Sequence, residues 1–162
     1  MPLLRLTQHA DTPPDWFRVE ASLEDNGRRL ETATSRFQFA LSAQDREDLR
    51  WYFEDYGENP FDPAPAIAAR IETRIAEIGD LLFRAVFESS ETARRLWARL
   101  SVDLDATRIE VVTEIREATA IPWELLADPL THTPLALEAA AFVVVLDADG
   151  TLLAQIQTIV GG

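Results

Sequence analysis

The spacing of apolar residues changes twice along this chain, and these changes limit the folds open to it. Near the N-terminus four apolar residues alternate with polar ones, namely Phe17, Val19, Ala21 and Leu23. This period of two is typical of a half-buried strand. Residues 49–100 instead carry apolar side chains every three or four positions, as amphipathic helices do. Strand-like segments return from residue 107 onward, so the order predicts an α/β fold with a mixed sheet.

The first 42 residues are predicted to form an antiparallel β-meander. Residues 3–7, "LLRLT", fit a short first strand, and the alternating segment is the second. Asn26-Gly27 follows it, and this pair suits the positive φ angles of a type I′ hairpin turn. The returning strand runs through residues 28–42, where three apolar residues alternate again: Phe37, Phe39 and Leu41.

The middle of the chain predicts about three helices. Ser42 precedes Asp45 by three residues, which approximates a capping box at the start of the first helix. The second helix begins near Pro65 or Ala66 and runs to about Phe87, and its apolar stripe consists of Ile67, Ile71, Ile75, Ile78 and Leu82. Gly79 is a weak spot in it, at a cost of up to ~1 kcal/mol relative to alanine. Ser89 or Ser90 caps the third helix.

The last third predicts two further strands and a C-terminal β-hairpin. Residues 107–115, "TRIEVVTEI", are rich in β-branched side chains. Residues 140–146, "AAFVVVL", form an apolar run typical of a central strand covered on both faces, and we expect the helix of residues 66–87 to pack on it. Asp149-Gly150 is a turn signal, and residues 151–160 are the predicted returning strand. That strand is long and uncharged, so we expect it to form a sheet edge or to contact a partner.

The segment "IPWELLADP", residues 121–129, lies between these strands. Pro122 suits the first position of a helix and Glu124 its first turn, where a negative charge meets the helix dipole. We expect Trp123, Leu125 and Leu126 to close one end of the sheet. Of the tryptophans, Trp97 and Trp123 are predicted to be core residues with N–H groups bonded to the backbone, whereas Trp51 is the one most expected at the surface. Its neighbours Tyr52 and Phe53 extend that aromatic helix.

Charge and cysteine content exclude several classes of function. Against 15 basic residues stand 28 acidic ones, and the net charge of −13 disfavours nucleic acids and anionic membranes as partners. A basic protein or peptide is the partner that this charge would favour, if it does more than keep the chain soluble. No apolar run reaches the roughly 20 residues that span a bilayer, and no secretory signal is evident. The chain has no cysteine, which removes disulfides and a thiolate nucleophile and agrees with a cytoplasmic location.

The remaining chemistry-bearing residues predict no catalytic, cofactor-binding or metal-binding site. His9 and His132 fall in predicted loops, and no nucleophile motif accompanies them. A dense acidic set lacks EF-hand spacing and reads as a solvated helix face; it comprises Asp45, Glu47, Asp48, Glu54, Asp55 and Glu58. The glycines are isolated, so no phosphate-binding loop is predicted.

Three segments in order resemble the N-terminal part of the CHAT domain, a bacterial relative of caspases and separases. They are "DLRWYFEDY", "IAEIGDLLFRAVF" and "IPWELLADPLTHTPLALEAAAFVVV", which together cover roughly residues 45–145. The resemblance implies a degenerate caspase-like half that supports a catalytic half and has no catalytic residues of its own. With the meander of residues 1–42, which the apolar alternation predicts, the CHAT-like supporting region of residues 43–162 is expected to form one compact domain.

Two functions remain open at this point. In the first, the chain is the non-catalytic supporting or regulatory half of a CHAT-type cysteine peptidase, and it acts through contacts with the catalytic half or with a second copy through residues 151–160. In the second, it is a stand-alone interaction or small-ligand module that kept the fold without protease activity. In neither is this chain alone an enzyme. A reading frame that continues past Gly162 into a half with a His-Gly and a later cysteine would favour the first.

Overall fold

The computed structural model describes residues 1–58, 64–113 and 121–147. Its strands are β1 (Leu3–Ala10), β2 (Trp16–Asp25), β3 (Arg28–Gln38), β4 (Arg108–Thr113) and β5 (Ala141–Leu146). Its helices are α1 (Ala43–Arg50), α2 (Ala64–Phe87), α3 (Glu91–Val102) and α4 (Leu135–Glu138). A π-helical turn, Trp51–Asp55, continues α1, and 3-10 turns occupy Leu104–Ala106 and Trp123–Leu125. The α/β prediction is confirmed, and α4 is one short turn beyond the three helices expected.

One mixed sheet of five strands has the order β3-β2-β1-β4-β5. The first three strands pair antiparallel, as a meander must, whereas β4 and β5 run parallel to β1. Asn26 and Gly27 have φ angles of 52° and 75°, which is the left-handed conformation that the hairpin turn requires. The prediction of an antiparallel meander is therefore confirmed.

The prediction that residues 140–146 form the central strand is wrong for the described part of the sheet. The middle position belongs to β1, and β5 is the last described strand on its side. Val144 and Leu146 are 47% and 52% exposed, so β5 is not covered on both faces. The error has a physical reason. An apolar run indicates that a strand is shielded from water. Its place in the sheet depends on pairing with residues distant in the sequence, which the local pattern does not reveal.

The core lies between one face of the sheet and the helices α2 and α3. Alternating residues of the strands supply the sheet side, among them Leu4, Leu6, Val19, Phe37, Ile109 and Val111. The helices supply Ile78, Leu82, Phe83, Val86, Leu96 and Leu100. Within the predicted apolar stripe of α2, Ile71, Ile78 and Leu82 are fully buried and Ile75 is half-buried, whereas Ile67, near the start of the helix, is exposed. The opposite face of the sheet carries ion pairs, such as Arg5 with Glu110 and Arg18 with Glu20.

Helix starts follow the predicted capping. The Ser42 hydroxyl accepts from the Asp45 N–H at 3.0 Å, and the Asp45 carboxylate accepts from the Ser42 N–H at 3.3 Å, which completes a capping box. Ser90 caps α3 by accepting from the Ala93 N–H at 3.1 Å. These reciprocal bonds satisfy N–H groups that the first turn of a helix leaves without partners.

Gly79 is a packing requirement rather than only a weak spot in α2. A Cβ atom there would collide with the carbonyl oxygen of Leu125 and lie 3.1 Å from the Cβ of Ala127. The Ala127 N–H also donates to the Gly79 carbonyl at 3.4 Å. The missing side chain therefore lets the segment after the Trp123–Leu125 turn cross directly against the helix.

Candidate functional site

Trp123 anchors residues 121–129, a segment that contacts both α2 and β1. Its side chain is buried, as are those of Leu125 and Leu126. The indole N–H donates to Gln8 Oε1 of β1 at 2.7 Å. Trp123 is a core residue, as predicted. The predicted backbone acceptor for its N–H is wrong, because the acceptor is the buried side-chain amide of Gln8 in β1.

The amide of Gln8 is fixed by this bond. An indole N–H can only donate, so the amide oxygen must face Trp123 and the amide nitrogen must point away. Gln8 is buried, and within the described residues its Nε2 has no hydrogen-bond partner. Gln8 was not singled out from the sequence, since a glutamine in a short strand pattern gives no signal of burial.

Glu124 follows the buried Trp123 but is itself exposed. Glu124 is exposed in the 3-10 turn that Pro122 precedes, so Pro122 lies one position before the helical turn rather than at its first position. No hydrogen bond or ion pair joins Glu124 to another residue in the described ranges. General acid–base catalysis needs a second group within reach of the same substrate atom. Within the described residues no such group is hydrogen-bonded to or ion-paired with the Glu124 carboxylate.

The two histidines lie in different settings. His9 is in β1 and not in a loop, so that prediction is wrong, and its Nε2 is 3.7 Å from a Glu20 carboxylate oxygen. The strand continues past "LLRLT" because β1 pairs with β2 as far as Ala10, with His9 opposite Arg18, whereas its described pairing with β4 ends at Gln8. His132 lies in a turn with φ 57°. Over the described ranges neither imidazole is hydrogen-bonded to a hydroxyl, so no nucleophile is activated there.

Two members of the acidic set, Asp45 and Asp48, are buried and so depart from the predicted solvated helix face, whereas Glu47, Glu54 and Glu58 are exposed as expected. Asp45 accepts two hydrogen bonds from the Arg74 guanidinium, at 3.0 and 3.1 Å, and Asp48 is bound by Arg70. The Arg74 bonds, with help from the Ser42 N–H, lower the pKa of Asp45, and Arg70 together with Gln44 lowers that of Asp48. These two carboxylates fasten α1 to α2. In the described parts of the chain no group of three histidines or carboxylates could hold a metal ion.

The two outer strands of the described sheet differ in charge. β3 carries four charged residues, Arg28, Arg29, Glu31 and Arg36, whereas β5, "AFVVVL", carries none. Charged side chains are a common protection of an edge strand against pairing with another chain. Among the described strands β5 pairs with β4 alone, so its other edge has no partner within the described residues. The predicted hairpin partner, residues 151–160, lies outside the described residues.

A cleft of about 420 Å³ opens beside α3. Its walls include Trp97 and Leu104 and the carboxylates of Asp105, Asp128 and Glu138. Trp97 is half-buried, and its ring packs edge-on against Phe83 with 4.7 Å between ring centres. The cleft therefore combines an aromatic wall with negative charge, as a site for a small cationic ligand would.

Comparison of the chain with protein-family models, with curated protein sequences and with solved structures found no match in any of the three. The absence of cysteine means that this chain alone supplies no cysteine-protease nucleophile. None of the described helices is long and apolar enough to cross a membrane.

Proposed function

We propose that this chain is a non-catalytic interaction module, the supporting or regulatory half of a CHAT-type cysteine peptidase, and that it acts in the cytoplasm by contact with a protein partner. The resemblance of the three sequence segments supports the family, and the missing cysteine supports the non-catalytic role. Its partner is the catalytic half, or a second copy of the chain when that half is absent.

The observation that carries the proposal is the uncharged outer strand β5. Val144 and Leu146 expose apolar side chains on a strand that has no charged residue to discourage pairing. An added strand would extend the backbone hydrogen bonds of the sheet and cover these side chains. β5 and the predicted strand of residues 151–160 together form the contact region.

The test is sedimentation of the purified 162-residue chain over a range of concentrations. We expect reversible dimers, because without the catalytic half the open strand pairs with a second copy. Val144→Lys should shift the chain to monomer, since a charge on the strand opposes pairing. Thr32→Lys, which places the same charge on the exposed face of β3, should leave the dimer intact. A wild-type chain that stays monomeric at every concentration would contradict the proposal.

A peptidase assay tests the non-catalytic part separately. The isolated chain should cleave no peptide substrate. Activity that survives Trp123→Ala but disappears in Glu124→Gln would make residues 121–129 a site and overturn the proposal.

The cleft beside Trp97 favours the alternative, a stand-alone small-ligand module. A stop codon directly after Gly162, together with a monomeric chain, would support that alternative over the CHAT-type half. A frame that continues into a half with His-Gly and a later cysteine would support the proposal.

A further inference from the structure

Four aromatic side chains lie close together at the C-terminal end of α1, in and just after the π-helical turn. Trp51 and Tyr56 have ring centres 5.3 Å apart, Tyr52 and Tyr56 stack at 5.8 Å, and Tyr52 meets Phe53 edge-on at 5.2 Å. Phe53 is 61% exposed, and none of the four is fully buried. Contiguous exposed aromatic surface is uncommon on a soluble domain and marks interaction sites.

The π-helical turn assembles this group. The Tyr56 N–H donates to the Trp51 carbonyl at 3.0 Å, which is the five-residue hydrogen bond of a π-helix. In an α-helix, residues five apart point about 140° away from each other. The wider turn instead brings Trp51 and Tyr56 onto one side. Single π-helical turns are rare and occur frequently at functional sites.

Negative charge surrounds the rings. Residues 47–58 contain five carboxylates and one basic residue, Arg50. Asp48 is paired with Arg70 of α2, which leaves four: Glu47, Glu54, Asp55 and Glu58. Arg50 pairs with Glu47, Glu54 and Asp55, so it offsets one charge of the four.

A carboxylate of the neighbouring helix joins the same surface. The Tyr52 hydroxyl donates to Glu72 of α2 at 2.8 Å, which holds the ring in place and raises the pKa of the phenol. The aromatic group is therefore fixed against α2 and retains an excess of carboxylates around it.

We propose that this aromatic–acidic surface, formed by Trp51, Tyr52, Phe53, Glu54, Tyr56 and Glu58, binds an arginine-rich segment of a protein partner. A planar guanidinium can stack on an aromatic face while it bonds a carboxylate in a bidentate manner. Phe53 and Glu54 are neighbours in the chain and both exposed, and the exposed Glu58 follows Tyr56 by two residues. A lysine ammonium lacks the planar stacking, so arginine is the preferred side chain. The proposal is independent of the contact through β5.

The experiment measures fluorescence anisotropy of a labelled peptide, four Arg-Gly repeats, titrated with the full chain. We expect saturable binding that weakens with added salt, because the contact is partly ionic. The same peptide with lysine for arginine should bind at least about fivefold more weakly. Trp51→Ala and Phe53→Ala should each reduce affinity by about fivefold or more.

Matched variants separate this surface from general attraction to an acidic protein. Leu137→Ala removes an exposed apolar side chain elsewhere and should change affinity less than about twofold. Glu54→Gln with Glu58→Gln should weaken binding, whereas Glu88→Gln with Glu91→Gln, an equal loss of charge on other exposed residues, should not. Circular dichroism checks that each variant is folded, and Phe53→Ala remains as the test if Trp51→Ala unfolds the chain. Equal binding of the two peptides, or equal effects of the two charge pairs, would overturn the proposal.

Discussion

Gly79 has opposite effects at two levels of structure. In an isolated helix a glycine costs about 1 kcal/mol relative to alanine, because its backbone loses more freedom on folding. In this fold the same position touches the backbone of Leu125, which is not a flexible side-chain end that could move aside. This contact therefore decides whether a substitution at Gly79 raises or lowers the free energy of unfolding.

Gly79→Ala should destabilise the chain by about 1–3 kcal/mol, the usual cost of overpacking a core. The free energy of unfolding in urea measures it. Gly57→Ala is the matched control, since a Cβ at Gly57 would meet nothing within 4 Å. That control should be neutral or slightly stabilising. A stabilised Gly79→Ala variant would show that the two segments separate easily and that helix propensity dominates.

The bond between Gln8 and Trp123 should couple these two residues energetically. Gln8→Leu leaves a buried indole N–H without its acceptor, which costs about 1–3 kcal/mol. Trp123→Phe leaves the Gln8 amide unpaired and also opens a cavity. The double variant removes both polar groups, so its loss in unfolding free energy should be smaller than the sum of the single losses. Additivity within about 0.5 kcal/mol would mean that the bond contributes little.

At the scale of elements, α1 is held to α2 by ion pairs, and its Leu49 packs half-buried against the core. Asp45 and Asp48 are the buried residues of α1, and each accepts hydrogen bonds from an arginine of α2. The pKa of each carboxyl is lowered in the folded chain. Carboxyls of this kind stabilise the fold at pH values above their ordinary pKa, and the stabilisation is lost as they become protonated.

The free energy of unfolding should therefore be steady near neutral pH and fall as the pH drops below about 4, through the lowered pKa of Asp45. Asp45→Asn should lose stability at neutral pH and show a smaller further loss in acid. Urea unfolding at several pH values measures both. Glu91→Gln, at a carboxyl 88% exposed on α3, is the control and should follow the wild-type curve. An unchanged acid response in Asp45→Asn would contradict the assignment.

At the scale of the whole molecule, the β-meander depends on the rest of the chain. One face of its strands is covered by α2 and α3, and the outer edge of β1 pairs with β4 over six positions. Residues 1–42 prepared alone lose both the cover and the edge partner. A sheet that leaves both an apolar face and a strand edge open to water tends to aggregate.

The isolated fragment of residues 1–42 should accordingly be unfolded or aggregated, with a poorly dispersed NMR spectrum. The 162-residue chain under the same conditions provides the folded reference. A well-dispersed spectrum of the fragment would instead make residues 1–42 a unit that folds by itself.

Local physical chemistry was sufficient for much of this protein. Ser42 with Asp45 marks a helix start because the bonds involved span three residues. Asn26-Gly27 marks the hairpin because the turn needs positive φ angles. The apolar stripe of α2 shows which face is buried, since helix geometry alone brings those residues to one side.

Only the tertiary structure decided which strands are neighbours and which polar groups meet. The position of β1 beside β4 depends on pairing between residues about 105 positions apart, such as Leu4 with Ile109. The position of β5 depends on its pairing with β4, as between Ile109 and Phe142. Gln8 and Trp123 are 115 positions apart in the sequence, and Gly79 contacts Leu125 of a different element. Sequence periodicity reports which side of an element avoids water, whereas the identity of what covers it depends on the packing of the whole chain.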